Sequence, residues 1–226
     1  AYLRFLSTTI QLSFLATAIC IALAYPLCYA MVALRPMFAS FLFVCVICSF
    51  FASYLVRTYA WLLLLQRRGL LNSFLIERGW IEQPLQLVYN MEGTVIGMVH
   101  ILLPMMVLPL YAAMKSVDGN LVKAALGLGA SPSRAFRDVF LPLSLPGLAA
   151  GSLLVFILSL GFYLTPAILG GGRIVVWATA IATAAEENPV WGAASALGII
   201  LLAGTFGLLY ILKRLLRIDS VLRRAG

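Results

Sequence analysis

Few side chains in this sequence carry the means for chemistry. His100 is the one histidine, and the eight acids and four cysteines are scattered. Acid–base catalysis needs groups of suited pKa within hydrogen-bond reach of a reacting atom. One histidine without clustered acids disfavours a membrane enzyme. Cys45 and Cys48 in "CVIC" match C-x-x-C, but no histidine or second cysteine pair accompanies them as a zinc site would need. Together with Cys20 and Cys28 they lie in apolar runs, where cysteine packs as a small apolar residue. "GLGAS" at 127–131 is superficially like a phosphate-cradling loop, yet no strand precedes it and the G-K-[ST] ending is missing. The expectation is a chain without catalytic residue, metal site or cofactor.

Two ionisable groups, Arg57 and His100, are embedded in apolar sequence, which makes each a functional candidate by default. For His100 the plainer reading is a neutral imidazole bonded to a neighbouring helix. Arg57 either faces the bundle or snorkels to headgroups, since it stands roughly eight residues, about 12 Å, from the end of its apolar run. Tyr54, Tyr59, Trp61 and Tyr163 could face a cation through their rings, although aromatics near span ends also form interfacial belts.

The elements that must position these residues are membrane helices. The chain is 63% hydrophobic and only 11% charged, with a mean hydropathy of +1.03, far from the soluble range. A helix crossing about 30 Å of hydrocarbon needs about 20 mostly apolar residues. Five segments qualify: Ser7–Leu34, Met37–Gln66, Thr94–Met114, Leu143–Leu169 and Val190–Leu212. Their apolar residues run all round the helix, which excludes barrel strands. The predicted fold is an all-α helical bundle in the membrane, a single transmembrane domain over 1–226. In the fourth span, Gly161 with Pro166, and Pro146 with Gly147 and Gly151, mark places for a kink or close packing.

Basic residues set the orientation. Of 16 lysines and arginines, ten lie in one set of loops with the C-terminal tail and five in the other. The positive-inside rule places the ten, and the C-terminus, in the cytoplasm. That parity leaves the N-terminus outside, so a sixth, N-terminal span is expected upstream of Ala1.

The least apolar stretch between spans, "KAALGLGASPSRAFRDVFLP" (123–142), falls on the predicted cytoplasmic side. Gly129 follows a helical run and suits the left-handed C′ position. Ser131 offers an N-cap and Pro132 fits N1. The second helix is expected to end near Phe140, stopped by Pro142, with Arg134 and Asp138 paired at i, i+4. Ala135, Phe136, Val139 and Phe140 share its apolar face. Such a pair of short helices either lies on lipid headgroups or docks into a partner through an apolar knob led by Phe136.

The segment "KAALGLGASPSRAFRDVFLPLSLPG" resembles the EAA loop of permease subunits in binding-protein-dependent ABC importers. Ala124, Ala125, Gly129, Ala130, Phe136, Leu141 and Pro142 fall on its positions, while Lys123 stands where the family has its leading glutamate. "LVRTYAWLLLLQRRGLLNSFL" (55–75), "VHILLPMMVLPLYAAMKSVD" (99–118) and "FILSLGFYLTPAILGGG" (156–172) are similar to the spermidine/putrescine branch. The resemblance implies a type I importer-like permease of the bacterial inner membrane, with cytoplasmic coupling helices at 115–142. It implies cytoplasmic ABC ATPase subunits that bind ATP and Mg, a second homologous permease subunit and an external substrate-binding protein. It carries no covalent chemistry and implies no nucleic-acid partner. The expected solute is polyamine-like; an opine, amino-acid derivative or ferric iron is the alternative within the class. A stand-alone carrier or channel is disfavoured by the lack of internal repeats and of midplane carboxylates. The translocation path is assigned to Tyr54, Arg57, Tyr59, Trp61 and Tyr163, with Glu92, Glu186 and Glu187 at the outer span ends, where carboxylates would help admit a cation.

Overall fold

A computed structural model describes residues 2–186 and 191–216. Every regular element among them is helical, as suits backbone that lipid cannot hydrogen-bond. In chain order these are α1 (Tyr2–Ala33), α2 (Pro36–Phe51), α3 (Tyr54–Leu65), α4 (Leu70–Glu77), α5 (Met91–Ser116) and α6 (Gly119–Gly127). There follow α7 (Pro132–Ala135), a π turn (Phe136–Phe140), α8 (Leu141–Leu160), α9 (Leu164–Leu169), α10 (Trp177–Glu186) and α11 (Trp191–Leu216). Four helices are long and apolar enough to cross a membrane, and Pro36–Phe51 with Tyr54–Glu77 makes a fifth, bent span.

Two of the expected spans differ in detail. The second is broken by 99°. No glycine or proline marks the break; Ala52 turns extended (φ −66°, ψ 139°), and the Ser53 carbonyl becomes the first acceptor of α3, from the Arg57 N–H. A short polar residue is suited to that flanking position. The fourth span begins earlier than expected, because Pro142 does not stop the helix. Pro132–Leu160 is one rod of 29 residues. Proline normally loses a hydrogen bond and strikes the carbonyl four residues back. Here the preceding turn is widened, with the Leu141 N–H reaching Phe136 O, and the wider π turn accommodates the ring. The same span ends at Leu160 rather than Leu169, with α9 a separate short helix after Gly161.

The described chain gathers into two compact units, each built from segments distant in sequence. One comprises Phe14–Arg57 and Val95–Leu158. Along α1 its core is a stripe of small residues, Ala16, Cys20, Ala24 and Cys28, all fully buried. Small side chains let helix backbones approach, and the thiols reach α5 carbonyls: Cys20 to Val99 O at 3.8 Å and Cys28 to Val107 O at 3.7 Å. On α8, Gly147 and Gly151 serve the same end. A Cβ on Gly147 would run into the Ala113 methyl, and one on Gly151 would stand 2.9 Å from the Met106 carbonyl oxygen. Cys45 and Cys48 are exposed.

The other unit contains α1 as far as Ser13, Thr58–Thr94 and the chain from Ser159. Buried Trp177 is its junction: its backbone N–H donates to Thr9 Oγ1 at 2.8 Å and its indole N–H to Leu197 O at 2.9 Å. Asn72, fully buried, closes the segment after α3. Its Nδ2 donates to Gln66 O and Leu85 O, and its Oδ1 accepts the Leu85 N–H at 2.8 Å. Further on, the Tyr89 N–H donates to Leu169 O at 2.7 Å. The Tyr89 ring occupies the space a side chain on Gly171 would need.

Candidate functional site

The polar segment after α5 is built by its own capping residues. Asp118 opens α6, its side chain accepting the Asn120 N–H at 2.9 Å. At the other end Gly129 takes φ +88°. Its N–H donates to Leu126 O, and the Ala130 N–H donates to Ala125 O, both at 3.0 Å. That pair of bonds is a Schellman closure. Ser131 then caps the next helix by accepting the Arg134 N–H at 3.4 Å, with Pro132 in its first turn. The turn at Gly129 and both cap residues of the second helix stand as their types require. Asp118 was missed, although an aspartate just ahead of the α6 run is a cap signal.

The second short helix is fixed to α1 by aromatic rings. Phe136 meets Tyr29 edge-on at 5.2 Å and Tyr25 at 6.3 Å, and stacks on Phe140 at 5.8 Å. Phe140 meets Tyr29 in turn at 5.4 Å, and the Tyr25 hydroxyl bonds Ser144 Oγ at 3.0 Å. Phe136, expected to lead an outward knob, is half-buried: its ring packs within the chain on one side and lines an open pocket on the other. Periodicity had grouped Ala135, Phe136, Val139 and Phe140 on one face, and that face turns to the chain itself. The most exposed apolar side chain of the segment is Leu128, at 90%. It stands at the C-cap just before Gly129, where the turn throws a side chain clear.

The other expected coupling residues spread over the same surface. Lys123 and Ala124 are exposed on α6, Ala125 and Ala130 half-buried, Leu141 half-buried and Pro142 exposed. The expected Arg134–Asp138 pair does not form. Asp138 accepts from Arg137 Nε at 3.1 Å instead; the π turn changes the angular spacing on which the i, i+4 pairing rests. Between α6 (Val122, Leu126), the helix start (Pro132, Ala135) and the Tyr29–Phe136 rings lies an open pocket of about 220 Å³.

Of the residues assigned to a path, Tyr54 and Arg57 belong to one unit, and Tyr59, Trp61, Tyr163, Glu92 and Glu186 to the other. Arg57 is half-buried, and its Nε and Nη1 are shielded without a hydrogen-bond partner among the described residues. In α3, Tyr54, Arg57, Thr58, Trp61, Leu62, Leu64 and Leu65 are shielded to some degree, while Tyr59 is exposed. Tyr163 precedes α9 and is partly exposed; Glu92 and Glu186 are exposed. Glu187 lies outside the described residues.

A family model described as "binding-protein-dependent transport system inner membrane component" matches residues 23–217. The spermidine/putrescine transport system permease protein PotB of Haemophilus influenzae is 32% identical over 203 residues, covering 89% of this chain and 71% of that protein. Its namesake in Escherichia coli is 31% identical over 211 residues, covering 92% and 77%. Among solved structures, a bacterial ABC transporter that imports the acidic polysaccharide alginate superposes with a TM-score of 0.78. The match covers 96% of this chain and 79% of that one at 15% identity, a likeness of fold.

Proposed function

The chain belongs to the family of binding-protein-dependent transport system inner membrane components, and we propose that within such a system it forms the path for a polyamine-like cation. The observation that carries the solute class is the similarity to spermidine/putrescine permeases over about nine-tenths of the chain. An external binding protein delivers the solute, and a second homologous permease completes the path. ATP and Mg are bound by separate cytoplasmic ATPase subunits seated on residues 115–142. The C-terminus is cytoplasmic, on the side where the basic loops collect. Closure of the ATPases drives the segment, and the bundle switches between inward- and outward-facing packings.

Two features support the coupling role: a two-helix segment held rigidly by caps, and an aromatic joint that ties it to α1. One observation favours an amino-acid derivative as the second reading. The guanidinium of Arg57, with Nε and Nη1 shielded and not hydrogen-bonded among the described residues, suits a carboxylate better than an amine.

Uptake into proteoliposomes holding the whole transporter tests both. Labelled spermidine or putrescine should accumulate only with ATP, the ATPase and the binding protein present. Preferred uptake of a carboxylate-bearing solute would replace the polyamine reading, and uptake by this chain alone would make it a stand-alone carrier.

A further inference from the structure

The charges of residues 115–142 fall into two groups according to what each already contacts. Lys115 Nζ lies over the Tyr111 ring at 5.7 Å. Asp118 caps α6 through the Asn120 N–H, and Asp138 is paired with Arg137. Both acids of the segment are thus engaged within the chain. Lys123 and Arg134 are exposed and have no ion-pair partner among the described residues. One is on α6 and the other on α7, either side of the Gly129 turn. Near them in sequence stand exposed Leu121, Leu126 and Leu128 and the open pocket between the helices.

A segment with exposed apolar side chains and only cations left unpaired fits a partner of opposite charge pattern. Resting on the proposed seat of the ATPase, we infer that the ATPase face receiving this segment is an apolar seat rimmed by carboxylates that meet Lys123 and Arg134. Anionic headgroups share that charge but form a loose, fluid surface. The concave space between α6 and the second helix and the projecting Leu128 call for a shaped partner, with a side chain to enter the pocket and a recess for the leucine.

The test uses the full transporter with Lys123→Glu and Arg134→Glu combined, both at exposed positions. ATPase retention is measured by co-purification over a salt series, and again in nanodiscs with and without anionic lipid. The variant should hold the ATPase about tenfold more weakly at low salt, with the gap narrowing as salt screens the charges, and equally in purely zwitterionic discs. Equal or tighter retention overturns the inference. So does a loss seen only with anionic lipid, which assigns the cations to headgroups. Leu128→Ala keeps the two levels apart. If it loosens the ATPase while charge reversal does not, the seat stands and the acidic rim falls; if neither variant matters, the seat itself is elsewhere.

Discussion

Phe136 shows how a residue expected to meet a partner can also hold its own chain together. Its type and position favour an anchor, and the half-buried ring packs against Tyr25 and Tyr29 of α1 beside the open pocket. Removing a buried phenylalanine costs about 3–5 kcal/mol; a half-buried ring in an aromatic cluster is worth about 2 kcal/mol on that scale. Phe136→Ala should therefore lower the melting temperature of the solubilised chain by several degrees, and transport should fail as a consequence. Phe136→Leu should recover part of the loss. Unchanged melting with lost ATPase binding would return the ring to the partner surface. A buried face does not announce what buries it, so the sequence alone could not decide between own chain and partner.

At the scale of elements, the legible features were those carried by residues with special backbone chemistry. Gly129 at positive φ, Ser131 as cap and Pro132 in the first turn follow from steric and hydrogen-bond rules that act within four residues. The close packing at Gly147 and Gly151 was legible too, since only glycine admits another backbone at that distance. Three features were not. The break after Phe51 lies in an unbroken apolar run. The π turn ahead of Pro142 leaves no compositional trace, and the gap before α9 depends on where the chain beyond Gly161 packs. These are decided by tertiary contacts rather than by local preference. The α5–α8 seam gives a direct check: Gly151→Val puts a branched side chain on the Met106 backbone, and overpacking of this kind costs about 1–3 kcal/mol. The expected outcome is a lower melting temperature and reduced yield of inserted protein, whereas Gly204→Val, which meets nothing within 4 Å, should be tolerated.

For the whole molecule, charge is distributed unevenly along the sequence: the loops between 115–142 and the tail are strongly basic, and the remaining loops nearly neutral. If Glu92, Glu186 and Glu187 help admit a cation, changing all three to glutamine should slow polyamine uptake at low ionic strength, with the deficit shrinking as salt is raised. Equal uptake at low salt would remove them from the path. The connectivity carries a consequence of another kind. Thr9 receives its hydrogen bond from Trp177, 168 residues later in the chain. Synthesis proceeds at about 5–20 residues per second, so the start of α1 is made roughly 10–30 s before this partner exists. During that interval the Thr9 hydroxyl has only the Phe5 carbonyl of its own helix to satisfy it. The order of birth, and not only the final packing, therefore selects for an α1 whose polar groups are satisfied before Trp177 arrives.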